Sequence, residues 1–314
     1  LFINTLKAIV FGIIEGIMEW LQISSTGHLI IVEQWLGFGA RYGSEFSNLF
    51  IVVIQFGAIL AVIIAFFKKI WPFGKNKTRE EKVKVWMLIL NVVIACIPAV
   101  VAGLFLDDII DQYLFGSLVI AITLIVYGII FIVAEAWRKK NHNEEKVYLE
   151  LVDITWKSAL IIGFAQVLAL VPGTSRSGVT IIAALLIGFS RPSAAEFSFI
   201  LSIPMIIGAS GLKLVKFVLD DAAINSISSE LRIEALVVLL VGILVSFIVS
   251  VFTIKYFMKF IKSKTFIGFG YYRIALGIII LVLGLSKVIP LFTPDVNLSL
   301  FDSATNLLRI HIAR

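Results

Sequence analysis

Glu15 and Glu19 lie four residues apart in an otherwise apolar stretch, so on a helix their carboxylates share one face. Such a pair can hold a hard divalent cation, Mg²⁺ or Ca²⁺, through oxygen. It can instead share a proton, or simply face a water-filled vestibule with no chemical task. Just beyond it runs Ser24-Ser25-Thr26-Gly27-His28. A serine beside a histidine can be a nucleophile with its base, and the histidine can act as general acid for a leaving group. The plainer reading is a helix cap and a turn. A second cluster, Pro172-Gly173-Thr174-Ser175-Arg176-Ser177-Gly178-Val179-Thr180, is more specific. Gly173 and Gly178 free the backbone, and hydroxyls at 174, 175, 177 and 180 can donate to oxyanions. Arg176 adds a planar fork suited to phosphate. A donor-rich turn that opens a helix is an anion site. It is not a P-loop, because no Lys followed by Ser or Thr closes the glycine-rich run. The competing role for Arg176 is an ion pair with Glu15 or Glu19. The two roles coexist if the pair opens for a phosphate.

The two clusters look like copies. Gly12, Glu15, Ser24, Thr26 and Gly27 face Gly163, Gln166, Ser175, Ser177 and Gly178 at a constant separation of 151 residues. The same separation carries Glu45-Phe46-Ser47 onto Glu196-Phe197-Ser198 and Gly57-Ala58 onto Gly208-Ala209. Ionisable groups are expensive in hydrocarbon and mark pathways, cavities or sites. A duplicated half with one polar cluster per copy points to a single centre where the copies meet.

These residues need a membrane scaffold to position them. The chain of 314 residues is 60% hydrophobic and 15% charged, with a mean hydropathy of +1.02, whereas a soluble domain carries about a quarter charged residues. About six stretches are long enough to span, at 48–67, 86–106, 115–136, 197–217, 235–254 and 271–290. The net charge of +6 reflects basic cytoplasmic loops rather than nucleic-acid binding. Lys68, Lys69, Lys75, Lys77, Arg79, Lys82 and Lys84 place the link after the first span inside. Asp107, Asp108 and Asp111 place the next one outside, and Arg138, Lys139, Lys140, Lys146 and Lys157 return the chain to the inside. Asp220, Asp221, Glu230 and Glu234 mark a further outside link, and Lys255, Lys259, Lys262 and Lys264 an inside one. The spans 48–67 and 197–217 then run in opposite senses, as in inverted repeats. The expected fold is all-α: a single membrane domain over 1–290, built of two repeats (about 1–140 and 150–290) of inverted topology. It has about six transmembrane helices plus two re-entrant helical hairpins carrying the motifs, with plain spanning helices as the alternative for the latter. Broken backbone at membrane depth must be buried in protein or line a cavity.

The remaining candidates are weaker. Glu45 and Glu196 suit helix starts, Arg191-Pro192 a turn, His142 and His311 a solvated surface, and Tyr271-Tyr272-Arg273 an interfacial anchor. The lone Cys96 excludes an internal disulfide or a cysteine metal cluster. No removable signal peptide is expected, and the absence of Met at position 1 suggests further residues upstream.

At these motifs the chain resembles the undecaprenyl-diphosphate phosphatase family, also known as bacitracin-resistance proteins. The family pattern is a Glu-rich helix running into Ser-Ser-Thr-Gly-His, matched at 15–28, and Pro-Gly-x-Ser-Arg-Ser-Gly-x-Thr, matched at 172–180. Further likeness runs through Gln55-Phe56-Gly57-Ala58-Ile59-Leu60-Ala61, Ile97-Pro98-Ala99 and Ala195-Glu196-Phe197-Ser198-Phe199, so it covers roughly 5–290. Two departures stand out. Gln22 replaces the usual proline and suggests a looser first turn, and residues 291–314 form a tail beyond the family core.

The resemblance implies hydrolysis of undecaprenyl diphosphate to the monophosphate carrier and inorganic phosphate, which recycles the lipid for cell-wall synthesis and confers bacitracin resistance. It implies a Mg²⁺ or Ca²⁺ requirement and a multi-pass protein of the bacterial plasma membrane with an extracytoplasmic site. By matching motif, Glu15 and Glu19 are metal or acid–base residues, Ser25 the nucleophile and His28 its proton-transfer partner. Ser175, Arg176 and Thr180 hold phosphate, with Ser24, Thr26, Gly173, Thr174 and Ser177 completing the expected cradle. The expected partners are the lipid diphosphate and the bilayer, with a homodimer left open and no nucleic acid. The rival class is a polyprenyl-phosphate flippase or transporter on the same inverted-repeat fold.

Overall fold

Hydroxyl side chains set the helix starts that matter most. In the computed structural model, which describes residues 1–75, 77–114, 116–141, 148–220, 224–225, 227–286 and 289, Ser24 Oγ accepts the Gly27 amide at 3.3 Å and Ser175 Oγ that of Gly178 at 3.2 Å. Each serine is an N-cap that satisfies one orphan amide of its helix. Thr155 caps another helix through Ser158, and Ser190 caps one through Ser193 with Pro192 in its first turn.

The helices are α1 (Phe2–Met18), α2 (Ser25–Leu36), α3 (Gly39–Tyr42), α4 (Ser44–Val53), α5 (Gln55–Ile70), α6 (Arg79–Tyr113) and α7 (Ser117–Asn141) in the first half. The second half has α8 (Trp156–Val167), α9 (Arg176–Ile187), α10 (Arg191–Leu219), α11 (Arg232–Phe260) and α12 (Ile267–Leu285). Six segments are long and apolar enough to cross a membrane: Ser44–Ile70, Arg79–Leu106, Ser117–Lys140, Arg191–Leu219, Ser229–Phe260 and Ile267–Leu285. Each of the six expected spans coincides over most of its length with one of these segments, and residues 115, 287, 288 and 290 lie outside those described. No regular strand occurs among the described residues, only one isolated bridge, Leu149 to Phe189. The tail 291–314, His142, Lys146, Asp221 and His311 lie outside the described residues, as do the side chains of Asp107, Asp108 and Asp111.

The motif segments are hairpins. α2 and α9 each have 12 residues and start 151 positions apart. At 1.5 Å per residue each is about 18 Å long, too short for a hydrocarbon core of about 30 Å. α1 packs parallel to α11: Asn4 donates to Glu234 at 2.8 Å, and Ser250 donates to the Gly16 carbonyl at 3.4 Å. α8 packs parallel to α6 in the same way, with Asn91 donating to the Ile154 carbonyl at 2.9 Å and Gln166 to that of Ala95 at 3.4 Å. Glycine makes both approaches close. A Cβ on Gly12 would sit 2.8 Å from the Gly242 carbonyl oxygen, and one on its repeat partner Gly163 2.5 Å from that of Ala95.

Equivalent spans of the two halves run antiparallel, which agrees with the inverted reading of the charge pattern. Val52 meets Ser210 at 3.0 Å, while Lys69, further along, meets Glu196 at 2.5 Å. Gly128 of α7 faces Gly270 of α12, and Ala121 faces Gly277. One end of the bundle gathers the basic ends of the spans. There Glu135 accepts both arms of Arg191 at 2.9 and 2.7 Å and the Phe266 amide at 3.1 Å. At the other end Glu234 accepts from Asn4, Tyr42 and both arms of Arg41. The core between them is aromatic and aliphatic, with Trp20 fully buried edge-on against Phe199 at 4.8 Å.

Gly57 and Gly208 occupy equivalent repeat positions in unlike surroundings. A Cβ at 57 would lie 2.1 Å from the Ile243 carbonyl oxygen, whereas one at 208 meets nothing within 4 Å. Gly57→Ala should therefore destabilise the protein by ~1–3 kcal/mol through overpacking. Gly208→Ala should be neutral or stabilising by up to ~1 kcal/mol, the helix-propensity difference. Thermal unfolding of the two variants in detergent tests this asymmetry.

Candidate active site

Both hairpins turn through backbone that L-residues rarely adopt. After α1 the chain reaches φ +55° at Gln22 and +70° at Ser24 before entering α2. In the second hairpin a short 3₁₀ turn, Leu168–Leu170, leads to Gly173 at φ +87° and Ser175 at φ +71°, then α9. Non-glycine residues at positive φ cost on the order of 1–3 kcal/mol and persist only where the surroundings hold them. The first turn is not loose. Gln22 is fully buried, and its side-chain amide donates to the Trp20 carbonyl at 2.7 Å. Its φ is one that a proline ring, locked near −65°, does not reach, so this turn is built differently from one carrying proline.

The tips of the hairpins meet on Glu19. Its Oε1 accepts from Arg176 Nη2 at 2.6 Å and its Oε2 from Ser25 Oγ at 2.7 Å, while its backbone carbonyl accepts from Ser177 Oγ at 3.2 Å. The ion pair expected as an alternative for Arg176 is thus formed, with Glu19 as the partner. Both side chains are mostly shielded, at 14% and 11% exposure, so the attraction is screened less than at a surface. The second arm of Arg176 reaches the Ser198 carbonyl at 3.3 Å.

Glu15 lies one turn earlier on α1. It is fully buried, and neither carboxylate oxygen accepts a hydrogen bond. An orphaned carboxylate inside a protein is costly. Beside Glu19 it forms an oxygen-donor pair that suits a divalent cation. No group of three or more His, Cys, Asp or Glu residues is assembled for a metal among the described residues. A cation held here would draw its other ligands from phosphate and water, as Mg²⁺ sites commonly do.

The remaining cradle residues divide by what their hydroxyls already do. Ser24 and Ser175 cap their helices, and Ser175 Oγ lies 3.4 Å from Ser177 Oγ. Thr180 is fully buried, donates to the Arg176 carbonyl at 2.9 Å and lies 2.7 Å from Ser198 Oγ, a contact that braces the base of the turn. Thr174 is buried. The side chain of Thr26 lies outside what the structure describes. Ser25 and His28 are not brought together. His28 Nδ1 is 2.7 Å from the Ser24 carbonyl, and Nε2 is 2.9 Å from the Tyr272 hydroxyl.

Arg273 of α12 and Ser198 of α10 escaped the sequence reading of the site. Arg273 was expected as part of an interfacial anchor, yet it is fully buried. Nη1 donates to the Gln22 carbonyl at 2.9 Å, and Nη2 to those of Gly173 and Thr174 at 2.8 and 2.9 Å. One guanidinium therefore ties the two hairpin tips together, and its cation lies near the faces of Tyr127 and Phe131. The signal that could have found it is a lone arginine inside the apolar run of a span. Ser198 was noticed only as a repeat partner of Ser47. Arg191-Pro192, expected to mark a turn, opens α10 instead and pairs with Glu135. Glu196, expected to suit a helix start, pairs with Lys69 in the second turn of α10.

A polytopic helical protein with a buried centre of paired carboxylates, a hydroxyl and a phosphate-type arginine cradle belongs with membrane enzymes acting on phosphorylated lipids. The chain matches the bacitracin resistance protein BacA family over residues 8–279, and it belongs to that family. It is 48% identical over 281 residues to an undecaprenyl-diphosphatase of Enterococcus faecalis, covering 90% of this chain and 98% of that one. It is 47% identical over 275 residues to undecaprenyl-diphosphatase 1 of Clostridioides difficile (88% and 94% covered), and 44% over 291 residues to undecaprenyl-diphosphatase 1 of Oenococcus oeni (92% and 100% covered).

Replacing Arg273 with Met leaves three buried carbonyls without their donor. The cost should be on the order of 2–4 kcal/mol. Arg273→Lys should recover only part of it, because a single ammonium cannot reproduce a fork that spans both turns. Detergent melting curves check both, and a wild-type midpoint for Arg273→Met would show that the tips are held by other contacts.

Proposed function

We propose that this protein hydrolyses undecaprenyl diphosphate to undecaprenyl phosphate and inorganic phosphate in the bacterial plasma membrane, with its site reached from the extracytoplasmic side. The observation that carries this reading is Glu19, which holds a serine hydroxyl of one hairpin on one oxygen and the arginine of the other hairpin on its second. A nucleophile and a phosphate-binding cation thus converge on one largely shielded carboxylate, which is placed to act as the base. The sidedness rests on the basic and acidic ends of the bundle and the positive-inside tendency.

A diphosphate entering the centre would compete with Glu19 for Arg176. The guanidinium then binds phosphate oxygens and stabilises charge that grows during transfer. Glu19 Oε2 already holds the Ser25 hydroxyl. It accepts the Ser25 proton as Oγ attacks the terminal phosphorus, the anhydride P–O bond breaks, and the polyprenyl monophosphate leaves. Water then cleaves the phosphoserine. Attack by water, with Ser25 only orienting it, is the competing course. His28, bonded to the Ser24 carbonyl and the Tyr272 hydroxyl and not to Ser25, serves the leaving group's proton rather than the attack.

Charge counting supports a cation. A diphosphate brings several negative charges to a centre where Arg176 is already paired with Glu19. We infer that Mg²⁺ or Ca²⁺ is held by Glu15 and Glu19, where it would offset phosphate charge. One chain supplies both hairpins, so this reading needs no second copy. A carrier of polyprenyl phosphate would need the cradle but not the Ser25–Glu19 contact, which favours the hydrolase.

Purified protein should release phosphate from undecaprenyl diphosphate with Mg²⁺ or Ca²⁺ and lose that activity in EDTA. Arg176→Ala should lose at least 10²-fold, the scale of one transition-state donor. Ser25→Ala should block the capture of labelled phosphate on protein in an acid quench. Full activity in EDTA would remove the cation from the scheme, and labelled protein from Ser25→Ala would remove serine as the nucleophile.

A further inference from the structure

His28 is set on two opposite contacts. Nδ1 lies 2.7 Å from the Ser24 carbonyl, which can only accept, so Nδ1 carries a hydrogen whether the ring is neutral or charged. Nε2 is therefore the nitrogen that gains and loses a proton. Its only hydrogen-bond partner among the described residues is the Tyr272 hydroxyl at 2.9 Å. The two rings are nearly parallel, 13° apart with centroids 5.8 Å apart, so the contact is set by ring packing as well as by the hydrogen bond. The ionisable groups acting on the imidazole from α12 are Tyr272 and Arg273. Arg273 is committed to the hairpin carbonyls. The backbone of α2 contributes Ser24.

Tyr272 also stands at a boundary. An apolar groove of about 330 Å³, lined by Met18, Leu21, Ile23, Phe260 and Phe269 among others, reaches this tyrosine. A neighbouring groove of about 640 Å³ shares Leu21, Phe260 and Phe269 and runs along α1 and α11. The tyrosine ring thus borders apolar side chains while its hydroxyl meets His28 Nε2.

We propose that Tyr272 is the positioning residue of His28: its hydroxyl holds Nε2 and carries the proton that His28 exchanges with the substrate side. When Nε2–H gives its proton to Tyr272 Oη, the hydroxyl passes its own hydrogen outward to the leaving oxygen or to water. The tyrosine is chemically unchanged, and the imidazole ends neutral. The proposal rests on the phosphatase reading for its kinetic part, while the hydrogen bond itself can be tested without any activity.

Tyr272→Phe keeps the stacked ring and removes only the hydroxyl. With undecaprenyl diphosphate and Mg²⁺, kcat should fall on the order of 10-fold to 100-fold, below the full general acid–base factor, with KM nearly unchanged. The limb of the pH profile that reports His28 should move. Tyr271→Phe, on the neighbouring exposed tyrosine, is the control and should match the wild type. Nitrogen-15 spectra of histidine-labelled protein supply the independent readout, with the His28 signals identified by their loss in His28→Asn. The Nε2 resonance should shift in Tyr272→Phe while Nδ1 keeps its hydrogen. An unchanged Nε2 resonance overturns the proposal whether or not the wild type hydrolyses the lipid. A variant with raised KM and wild-type kcat also overturns it, because Tyr272 would then only wall the apolar groove. A wild type without phosphatase activity but with the expected resonance shift would sink the function reading and leave the contact standing.

Discussion

The architecture depends on one buried cation. Among the described residues Arg273 has no carboxylate partner within salt-bridge distance, and it is held by three backbone carbonyls and two aromatic faces. Those carbonyls belong to turns that cannot satisfy themselves, because positive φ at Gln22, Gly173, Ser24 and Ser175 breaks the helical pattern around them. A turn left open in hydrocarbon would expose unpaired backbone groups at several kcal/mol each. Supplying three donors from one planar fork both satisfies the turns and fixes the distance between them. Everything that follows at the centre presupposes that distance.

Holding the tips together brings opposite charges into contact. The Arg176–Glu19 pair lies between groups that would each be costly to bury alone. Its geometry shows how that cost is met: Ser25 and the Ser198 carbonyl occupy positions that the ions leave open. Glu15 receives no such compensation and is the least satisfied group at the centre. A buried pair beside an uncompensated carboxylate is a poor device for stability. It is a good one for exchanging ligands, since an incoming anion and cation together relieve what the resting arrangement leaves unpaired.

The pattern of spans was legible because it rests on bulk properties. Apolar length, the positions of Lys and Arg, and the 151-residue echo all survive projection onto a string. The membership of the two polar clusters was legible too, since hydroxyls, glycines and charges are conspicuous inside apolar sequence. Side-chain direction was not. Arg273 follows two tyrosines near a helix start, which is the composition of an interfacial anchor, and only the fold shows that it points between the hairpins. Ser25 and His28 are three apart on α2, a spacing that allows contact. The bond from Nδ1 to the Ser24 carbonyl turns the ring back along its own helix instead, toward α12. Gln22 was read as loosening its turn by comparison with proline. Burial of its amide against Trp20 and the pull of Arg273 on its carbonyl give the opposite result.

The repeat explains how a nearly symmetric scaffold yields an asymmetric centre. Ser24 and Ser175 are equivalent caps with φ of +70° and +71°, and the first helical residues after them, Ser25 and Arg176, are equivalent too. These two residues land on the two oxygens of the same carboxylate, Glu19, whose own repeat position is Leu170. Symmetry of the backbone thus directs both hairpins to a common point, and divergence of the side chains decides what happens there. At the 151-residue separation Glu15 corresponds to Gln166, His28 to Val179, and Tyr272 and Arg273 to Ala121 and Ile122. One copy has kept the carboxylates and the hydroxyl, and the other the cradle. A strictly symmetric pair would place two serines or two arginines on the axis, and neither pairing supplies both an attacking group and a phosphate-binding cation. The chemistry requires the copies to differ at the positions where the fold makes them meet.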